Sequence, residues 1–503
     1  MSSRTATNRF FNMTEIILLI ATFIDALDAK AISYLSRINR CAYASLIQKR
    51  VRIVSCPVEN VPSLSVFLER HKELPCRSLE IIGKGDFHSD PRDLKAHSSL
   101  VSILKRIGEQ QTLETFAYKT LFGSNPRSVC VPSEIWSALR ASSTSLRSLN
   151  IMLQPCSWAS LSAIEFIELK SVQLTFNTPG WPSDCRNNSL SPADISLSGT
   201  ITTPRFLNSM QHLTNLVLTF NSPRVDAMIM NMENLHFPAL IAIDIYTDSN
   251  SPVLNQFIEN HPGLHRLHLS SAMPFTSSPF QTQHFPELRA LRFRVESADH
   301  WNANVPEFAL PDLGNAETLH AHCTYIEHLS IYDLRTLPSV HKYAHPYLNQ
   351  LRRLDLQTVD SRQVSQDVLN TTLGSFTALI EISITISRFR ECPAFGRRAI
   401  ENPIAELQSY LTSLKDCVPL RAMHLYNPSS QPLNASDLQN LHPVPPSLRY
   451  VSWGNHFGTT TVRIVHNSAS QSAHAEVCEI PSPPREIVYD WTSKNTFRHL
   501  INL

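Results

Sequence analysis

The chain has 503 residues, 42% of them hydrophobic, and 44 Lys plus Arg balance 43 Asp plus Glu to a net charge of +1. This excludes a disordered chain, which combines low hydrophobicity with high net charge, and gives no global pull toward nucleic acid or an acidic membrane surface. Glycine is scarce, 12 residues or about 2.4% against a usual ~7%, which weighs against folds that cradle phosphates in glycine loops.

At the N-terminus, Arg4 and Arg9 precede the apolar run Ile16–Ile24, which imitates a secretory signal. Asn-x-Ser/Thr triplets at Asn12, Asn187, Asn370 and Asn434 are compatible with that. Against it, Glu15 abuts the run, Asp25 and Asp28 follow at once, and nine residues fall far short of the ~20 that span a bilayer. The ten cysteines are scattered without a CxxC, the pattern of free thiols in a reducing compartment, cytoplasm or nucleus. A secreted protein with a cleaved signal stays as an alternative.

As helices the same residues make better sense. Thr14 is placed to cap a first helix whose apolar face carries Ile16, Ile20 and Phe23 beside Ile17 and Ile24. Asp28 caps a second with Ile32 and Leu35, and a third around Ile38–Gln48 offers Tyr43, Leu46 and Ile47. Three such short helices need each other or a partner to bury these faces.

The segment Met13–Gln48 resembles an F-box of the fungal type. Glu15, Ile16, Ile17 and Ile20 fit the opening of the family pattern, and Leu35, Arg37, Ile38, Asn39, Arg40, Leu46 and Ile47 fit its end. Met13 stands where the family has proline, and the central aspartate–leucine is displaced to Asp28–Ala29. The plain alternative is a helical cap on the rest of the chain.

Downstream, an apolar-x-x-apolar-x-apolar string recurs. It runs from a loose copy at Leu113-x-x-Phe116-x-Tyr118, through Leu146-x-x-Leu149-x-Ile151 and Leu213-x-x-Leu216-x-Leu218, to Leu448-x-x-Val451-x-Trp453. Many neighbouring copies start 24 to 28 residues apart. The last two apolar positions, two apart, share one face of a short strand. Ser251–Asn260, Gln366–Phe376 and Asn402–Asp416 read as returning helices. This string and period resemble leucine-rich repeats. The resemblance implies an α/β solenoid, a horseshoe of parallel strands inside and helices outside, over residues 51–454. The small helical domain then covers residues 10–50. The family's asparagine after the strand stands cleanly only at Asn221, so most turns must satisfy their backbone groups otherwise. Residues 455–503 lack the repeat. Thr459–Val465 and Ala475–Ile480 read as strands of a terminal cap, followed after Pro481–Pro484 by an amphipathic stretch.

No GxxxxGK[ST], HExxH or GxSxG occurs. His320, His322, Cys323 and His328 could suggest a metal, but His320 and His322 fall on a strand face and His328 on a polar repeat position, where the histidines read as surface residues. Arg485–Trp491 gathers polar and aromatic groups without pairing a nucleophile with a base. We therefore expect no catalytic residue, cofactor or metal.

What the repeats offer is a surface. The x positions beside the strand leucines face the concave side, and Arg266, His268, Arg292 and Arg294 adjoin there in two neighbouring repeats, with Arg353 further on. Arginine forks suit carboxylate or phosphate, and His268 would add charge below pH ~6.5. The expected ligand is an acidic or phosphorylated protein, the bland alternative a solvated strand face that binds nothing. Resemblance to F-box proteins with such repeats implies a substrate-recognition subunit of a cullin–RING, SCF-type ubiquitin ligase. Its box would dock on the Skp-type adaptor through Glu15, Ile16, Ile17, Ile20, Leu35, Ile38 and Leu46. A non-catalytic repeat scaffold with no ubiquitin role is the other reading.

Overall fold

A computed structural model describes residues 40–83, 91–120, 133–153, 164–177, 210–221, 234–247, 252–271, 285–295, 323, 325–334, 345–358, 366–386, 403–426, 441–454, 459–466 and 473–477. The chain divides into two compact units, Met1–His261 and Pro262–Leu503.

In the first unit, helix α1 (Arg40–Arg52) runs straight into strand β1 (Ile53–Pro57). A short 3-10 turn leads to α2 (Val61–Arg70), β2 (Ser78–Gly83), α3 (Pro91–Glu109), β3 (Thr115–Thr120) and α4 (Ser133–Leu139). Then come β4 (Ser148–Leu153), β5 (Ser171–Asn177), β6 (Asn215–Asn221), β7 (Ala242–Thr247) and α5 (Pro252–Glu259). The helices form where apolar residues recur at helical spacing. Val61, Leu64 and Leu68 are the buried stripe of α2, with a proline in its first turn. Ala96, Leu100, Ile103, Leu104 and Ile107 are the buried stripe of α3. The end of α3 lies so close to the turn Arg140–Ser142 that a Cβ on Gly108 would meet the Ala141 Cβ at 2.5 Å.

Strands β1 to β7 pair in sequence order, all parallel. Their register aligns Val54, Leu79, Phe116, Leu149, Val172, Leu216 and Ile243 in one row. Two residues on, Cys56, Ile81, Tyr118, Ile151, Leu174, Leu218 and Ile245 form a second, and both rows are buried. Three of these strands lie outside the copies named from the sequence. They carry Val51-x-x-Val54-x-Cys56, Cys76-x-x-Leu79-x-Ile81 and Leu169-x-x-Val172-x-Leu174.

The carbonyl of the residue just before a strand accepts two N–H groups from the next repeat. Arg77 O takes Glu114 N and Thr115 N at 2.8 and 2.9 Å, and Glu114 O takes Arg147 N and Ser148 N at 2.8 and 2.9 Å. The pattern repeats at Arg147, Lys170 and Thr214.

His261, just beyond α5, is buried. Its Nδ1 donates to Phe257 O at 2.7 Å and its Nε2 accepts from Phe237 N–H at 3.0 Å, which fixes one neutral tautomer. Phe237 and Phe257 also stand against its ring. Burial pushes its pKa down to about 4, against the pull of the Phe257 carbonyl.

In the second unit, β8 (Arg266–Ser271), β9 (Ala290–Val295), β10 (His328–Leu334), β11 (Arg353–Thr358), β12 (Glu381–Ile386), β13 (Ala422–Tyr426) and β14 (Tyr450–Gly454) pair in order and in parallel. Leu267, Leu291, Leu329, Leu354, Ile382, Met423 and Val451 make the buried row. The doubly accepting carbonyl recurs at His265, Arg289, Glu327, Arg352, Ile380 and Arg421. Helices α6 (Gln366–Leu373) and α7 (Pro403–Ser413) lie within two expected helical segments and are joined by Ser413 Oγ donating to Asn370 Oδ1 at 3.0 Å. After β14 the direction reverses. Strands β15 (Thr459–His466) and β16 (Ala473–Val477) pair antiparallel where the tail strands were expected, while the amphipathic stretch beyond lies outside the described residues. In each unit, an open parallel sheet with one strand per repeat is consistent with a leucine-rich-repeat solenoid.

Cys56, Cys76, Cys323 and Cys417 are free and buried. Burial pushes their thiols up, to about 11, 12, 12 and 11 in that order. Among the described residues no helix is long and apolar enough to cross a membrane.

Two expectations follow. Leu267 is fully buried, so Leu267→Ala should cost about 2–5 kcal/mol in urea unfolding. His261, with its folded pKa depressed, contributes stability that is complete above the unfolded value of ~6.5 and is lost as pH falls through about 4. Imidazole NMR titration should therefore place its midpoint near the lower value, and a midpoint near 6.5 would refute a buried neutral ring.

Candidate functional site

Because strand side chains alternate, the same register that aligns the leucines aligns a second set on the opposite face. In the second unit one row reads Arg266, Ala290, His328, Arg353, Glu381, Ala422. The other reads His268, Arg292, Ser330, Asp355, Ser383, His424.

The middle of this face is an ionic network across four strands. His328 Nε2 lies 2.8 Å from Asp355 Oδ2, and Arg353 Nε donates to Asp355 Oδ1 at 3.1 Å. Arg353 Nη1 reaches Glu381 Oε1 at 3.3 Å, and His424 Nε2 stands 3.2 Å from that same oxygen. Arg353 thus bridges two carboxylates, each flanked by an imidazole. Burial alone would raise the Asp355 carboxyl, but the charges of Arg353 and His328 and their hydrogen bonds outweigh it and hold the group well below the usual carboxylate range. Glu381 is lowered in the same way, burial being overcome by Arg353 and His424. Burial, the largest effect on His328, keeps its imidazole below the ordinary value despite Asp355.

The face is not the solvent-washed surface that the alternation implies. His268, Arg292, Ser330, Asp355 and Glu381 expose only 0, 3, 0, 7 and 4% of their surface. Strands ~4.8 Å apart set these side chains shoulder to shoulder, and ion pairing draws the charged ones together. Of the residues assigned to ligand binding, His268 and Arg292 are buried register partners on β8 and β9, and Arg266 is half-buried beside them. Arg294 pairs in register with Ser270. Arg353 is spent on two carboxylates of its own chain.

Of the residues assigned to adaptor docking, Glu15, Ile16, Ile17, Ile20, Leu35 and Ile38 lie outside the described residues. Leu46 is buried with Ala42 in α1 and serves the packing of this chain. His320 and His322 also lie outside the described residues, Cys323 is a buried thiol, and His328 is not the surface histidine expected but a member of the network. Among the described residues no group of three or more His, Cys, Asp or Glu is arranged to hold a metal.

His328, Ser330 and Asp355 bring the residue types of a hydrolytic triad onto two adjacent strands, a combination not singled out from the sequence. Yet Ser330 Oγ has no hydrogen-bond partner among the described residues, so no base activates it. The corresponding face of the first unit is milder. Asn150 Nδ2 donates to Gln173 Oε1 at 2.9 Å and Asn215 Nδ2 to Ser171 Oγ at 3.1 Å, while Glu80 takes Ser55 Oγ and Lys119 Nζ, each at 2.7 Å.

No family model and no curated protein sequence matches the chain. Among solved structures it is similar to the leucine-rich repeat-containing protein LegL7 from Legionella pneumophila, at 13% identity over 63% of this chain and 85% of that one, TM-score 0.33. It is also similar to a chain of the Rad7 and Elc1 complex in yeast, at 14% identity over 79% of this chain and 93% of that one, TM-score 0.38. A third is the TLR13–ssRNA13 complex, at 13% identity over 76% of this chain and 55% of that one, TM-score 0.27.

The network generates a test. Asp355→Asn leaves Arg353 and His328 facing a neutral amide and should cost about 3–5 kcal/mol at pH 7 in urea unfolding. The lowered carboxyls contribute stability that is present above their unfolded values near ~4 and lost as pH falls through the folded ones. Wild type should therefore lose stability steeply below pH ~4, and Asp355→Asn should lose less over the same interval.

Proposed function

We propose that the protein is a non-catalytic substrate-recognition subunit of a cullin–RING, SCF-type ubiquitin ligase. The segment Met13–Gln48 docks on a Skp-type adaptor, and the strand face of the repeats holds a protein substrate. The sequence resemblance of that segment to an F-box supports the reading. The structural observation that carries it is the junction: α1, the last helix of the segment, passes into β1 with no intervening loop.

The junction is also braced. Arg50 stands over the rings of Tyr43 and Phe67, at 5.8 and 5.3 Å from their centres. The Tyr43 hydroxyl is 3.0 Å from His71 Nε2. A helix held in this way moves with the first repeat. With Leu46 buried in its own chain, docking falls to Glu15, Ile16, Ile17, Ile20, Leu35 and Ile38. The buried free thiols fit a reducing compartment, the cytoplasm or nucleus.

Affinity purification of the tagged chain should recover the adaptor and the cullin. Removal of Met13–Gln48 is a poor control, because it takes the buried Ala42 and Leu46 with it. A truncation that begins at Arg40, and Ile20→Asp in the full chain, keep α1 and should lose both partners while the repeats still unfold cooperatively. Wild-type chain free of adaptor and cullin would sink the reading. Collapse of cooperative unfolding in the truncated chain would make the N-terminal helices a structural cap instead.

A further inference from the structure

We propose that the edge of the first unit's sheet at which its strands begin docks an acidic, partly apolar segment of another polypeptide, through Arg52, Arg147, Lys170 and Ile241. This edge lies beside the strand face given above to the substrate, and its chemistry does not depend on the ligase reading.

Three observations carry it. The first is register. The residue just before each strand donates its N–H to the carbonyl of its counterpart one repeat back. Arg77 donates to Arg52, Glu114 to Arg77, Arg147 to Glu114, Lys170 to Arg147, Thr214 to Lys170 and Ile241 to Thr214, at 2.8–3.0 Å. These seven residues form a ladder along the edge, one rung per strand, with rungs ~4.8 Å apart.

The second is free charge. Arg52, Arg77, Arg147 and Lys170 make four of the seven rungs basic, whereas 44 Lys plus Arg in 503 residues would supply fewer than one. Arg77 is spent on Glu114, the acidic rung, at 3.1 Å. Arg52, Arg147 and Lys170 are exposed, and among the described residues their side chains make no ion pair or hydrogen bond. Arg147 and Lys170 are neighbours on the ladder. In the second unit Glu327 separates the corresponding Arg289 and Arg352, which makes that edge the poorer site.

The third is apolar exposure. Among the described residues of the first unit the exposed large hydrophobic side chains are Ile53, Val66, Ile167 and Ile241, at 44, 53, 51 and 46%. Ile241 is itself a rung, Ile53 follows Arg52, and Ile167 comes three residues before Lys170. One exposed isoleucine means little, but three along one basic edge make a mixed surface. That mixture selects the partner. A nucleic acid calls for a run of cations with aromatic rings for its bases, and this edge offers a carboxylate at Glu114 and aliphatic side chains. An extended peptide that carries both carboxylates and apolar side chains matches it. Arg52 and Lys170 are four strand spacings apart, ~19 Å, which about six extended residues cross.

The test is fluorescence anisotropy with the purified full chain and labelled peptides of about twelve residues, long enough at ~3.3 Å each to pass from Arg52 to Ile241. One peptide repeats Glu-Glu-Leu and one is all glutamate. A single-stranded oligothymidylate of equal length is the third probe. The Glu-Glu-Leu peptide should bind saturably and most tightly, and rising sodium chloride should weaken it. Arg147→Glu with Lys170→Glu should weaken it about tenfold or more. The ladder bonds are main-chain, so this pair should unfold like wild type in urea, and Arg147→Gln with Lys170→Gln is the milder pair should it not. Ile241→Ser should weaken the Glu-Glu-Leu peptide and leave the all-glutamate peptide unchanged. Arg70→Glu with Lys95→Glu, exposed and off the ladder, makes the same change in net charge and should leave the affinity within about twofold.

An equal loss in the Arg70 and Lys95 pair would mean that net charge alone is read, and overturns the site. A loss on Arg289→Glu with Arg352→Glu, with none in the Arg147 and Lys170 pair, overturns its placement. Tighter binding of the oligothymidylate overturns the polypeptide partner. Absence of saturable binding by the Glu-Glu-Leu peptide overturns the proposal as a whole.

Discussion

One backbone carbonyl per repeat, on the residue that precedes a strand, takes two N–H groups from the repeat that follows. Much of the rest depends on the register this sets. It occurs at Glu114, Arg147 and Thr214 in the first unit and at Arg289, Glu327, Arg352 and Ile380 in the second, so it does not depend on one kind of side chain. The constraint therefore belongs to the main chain. A slip of one residue would turn Leu267 and Leu291 outward and carry His268 and Arg292 into the apolar core. Hydrophobic burial and hydrogen bonding thus select the same alignment.

That alignment also places charge. Residues from separate repeats become neighbours when their strands pair, so His328, Arg353, Asp355, Glu381 and His424 form one network though they span nearly a hundred residues of sequence. Networks of this kind seldom add much net stability over apolar packing, since desolvation offsets the Coulombic gain. What they penalise is misplacement, because a shifted strand strands a charge without its partner. The first unit lines the same face with amides and hydroxyls and the ion pair of Glu80 with Lys119. The two units therefore differ in the electrostatics of their strand faces and not in the plan of their cores.

Much of the fold was legible because the leucine string is a direct imprint of strand alternation. Leu146, Leu213, Leu264 and Leu351 each mark a strand where the structure has one. The repeats at β1 and β2 escaped because Cys56 and Cys76 take leucine positions, and a buried free cysteine acts as a small apolar residue that no leucine pattern registers. The repeat at β5 had a full string, Leu169-x-x-Val172-x-Leu174, which starts 23 residues after Leu146 and 44 before Leu213. Helix α3 was readable from Ala96, Leu100, Ile103 and Ile107 but has no counterpart in the short returning helices expected. At the site, the period of two placed Arg266, His268, Arg292 and Arg353 on one face. It could not show that Arg353 is consumed by Asp355, two residues along its own strand, and by Glu381, one strand away.

The four buried thiols have a use that their burial creates. A thiol at Cys56 or Cys76, with its pKa pushed to about 11 or 12, presents almost no thiolate at neutral pH and is walled off from reagent. Cys323 and Cys417 are in the same state in the other unit. Alkylation at these sites must wait for the surrounding structure to open, so each labelling rate is a clock for local unfolding at its own position. Among the described residues two such clocks run in each unit, and peptide mapping reads them separately. The chain thereby carries, without added probes, the means to learn whether its repeats open together or one end at a time.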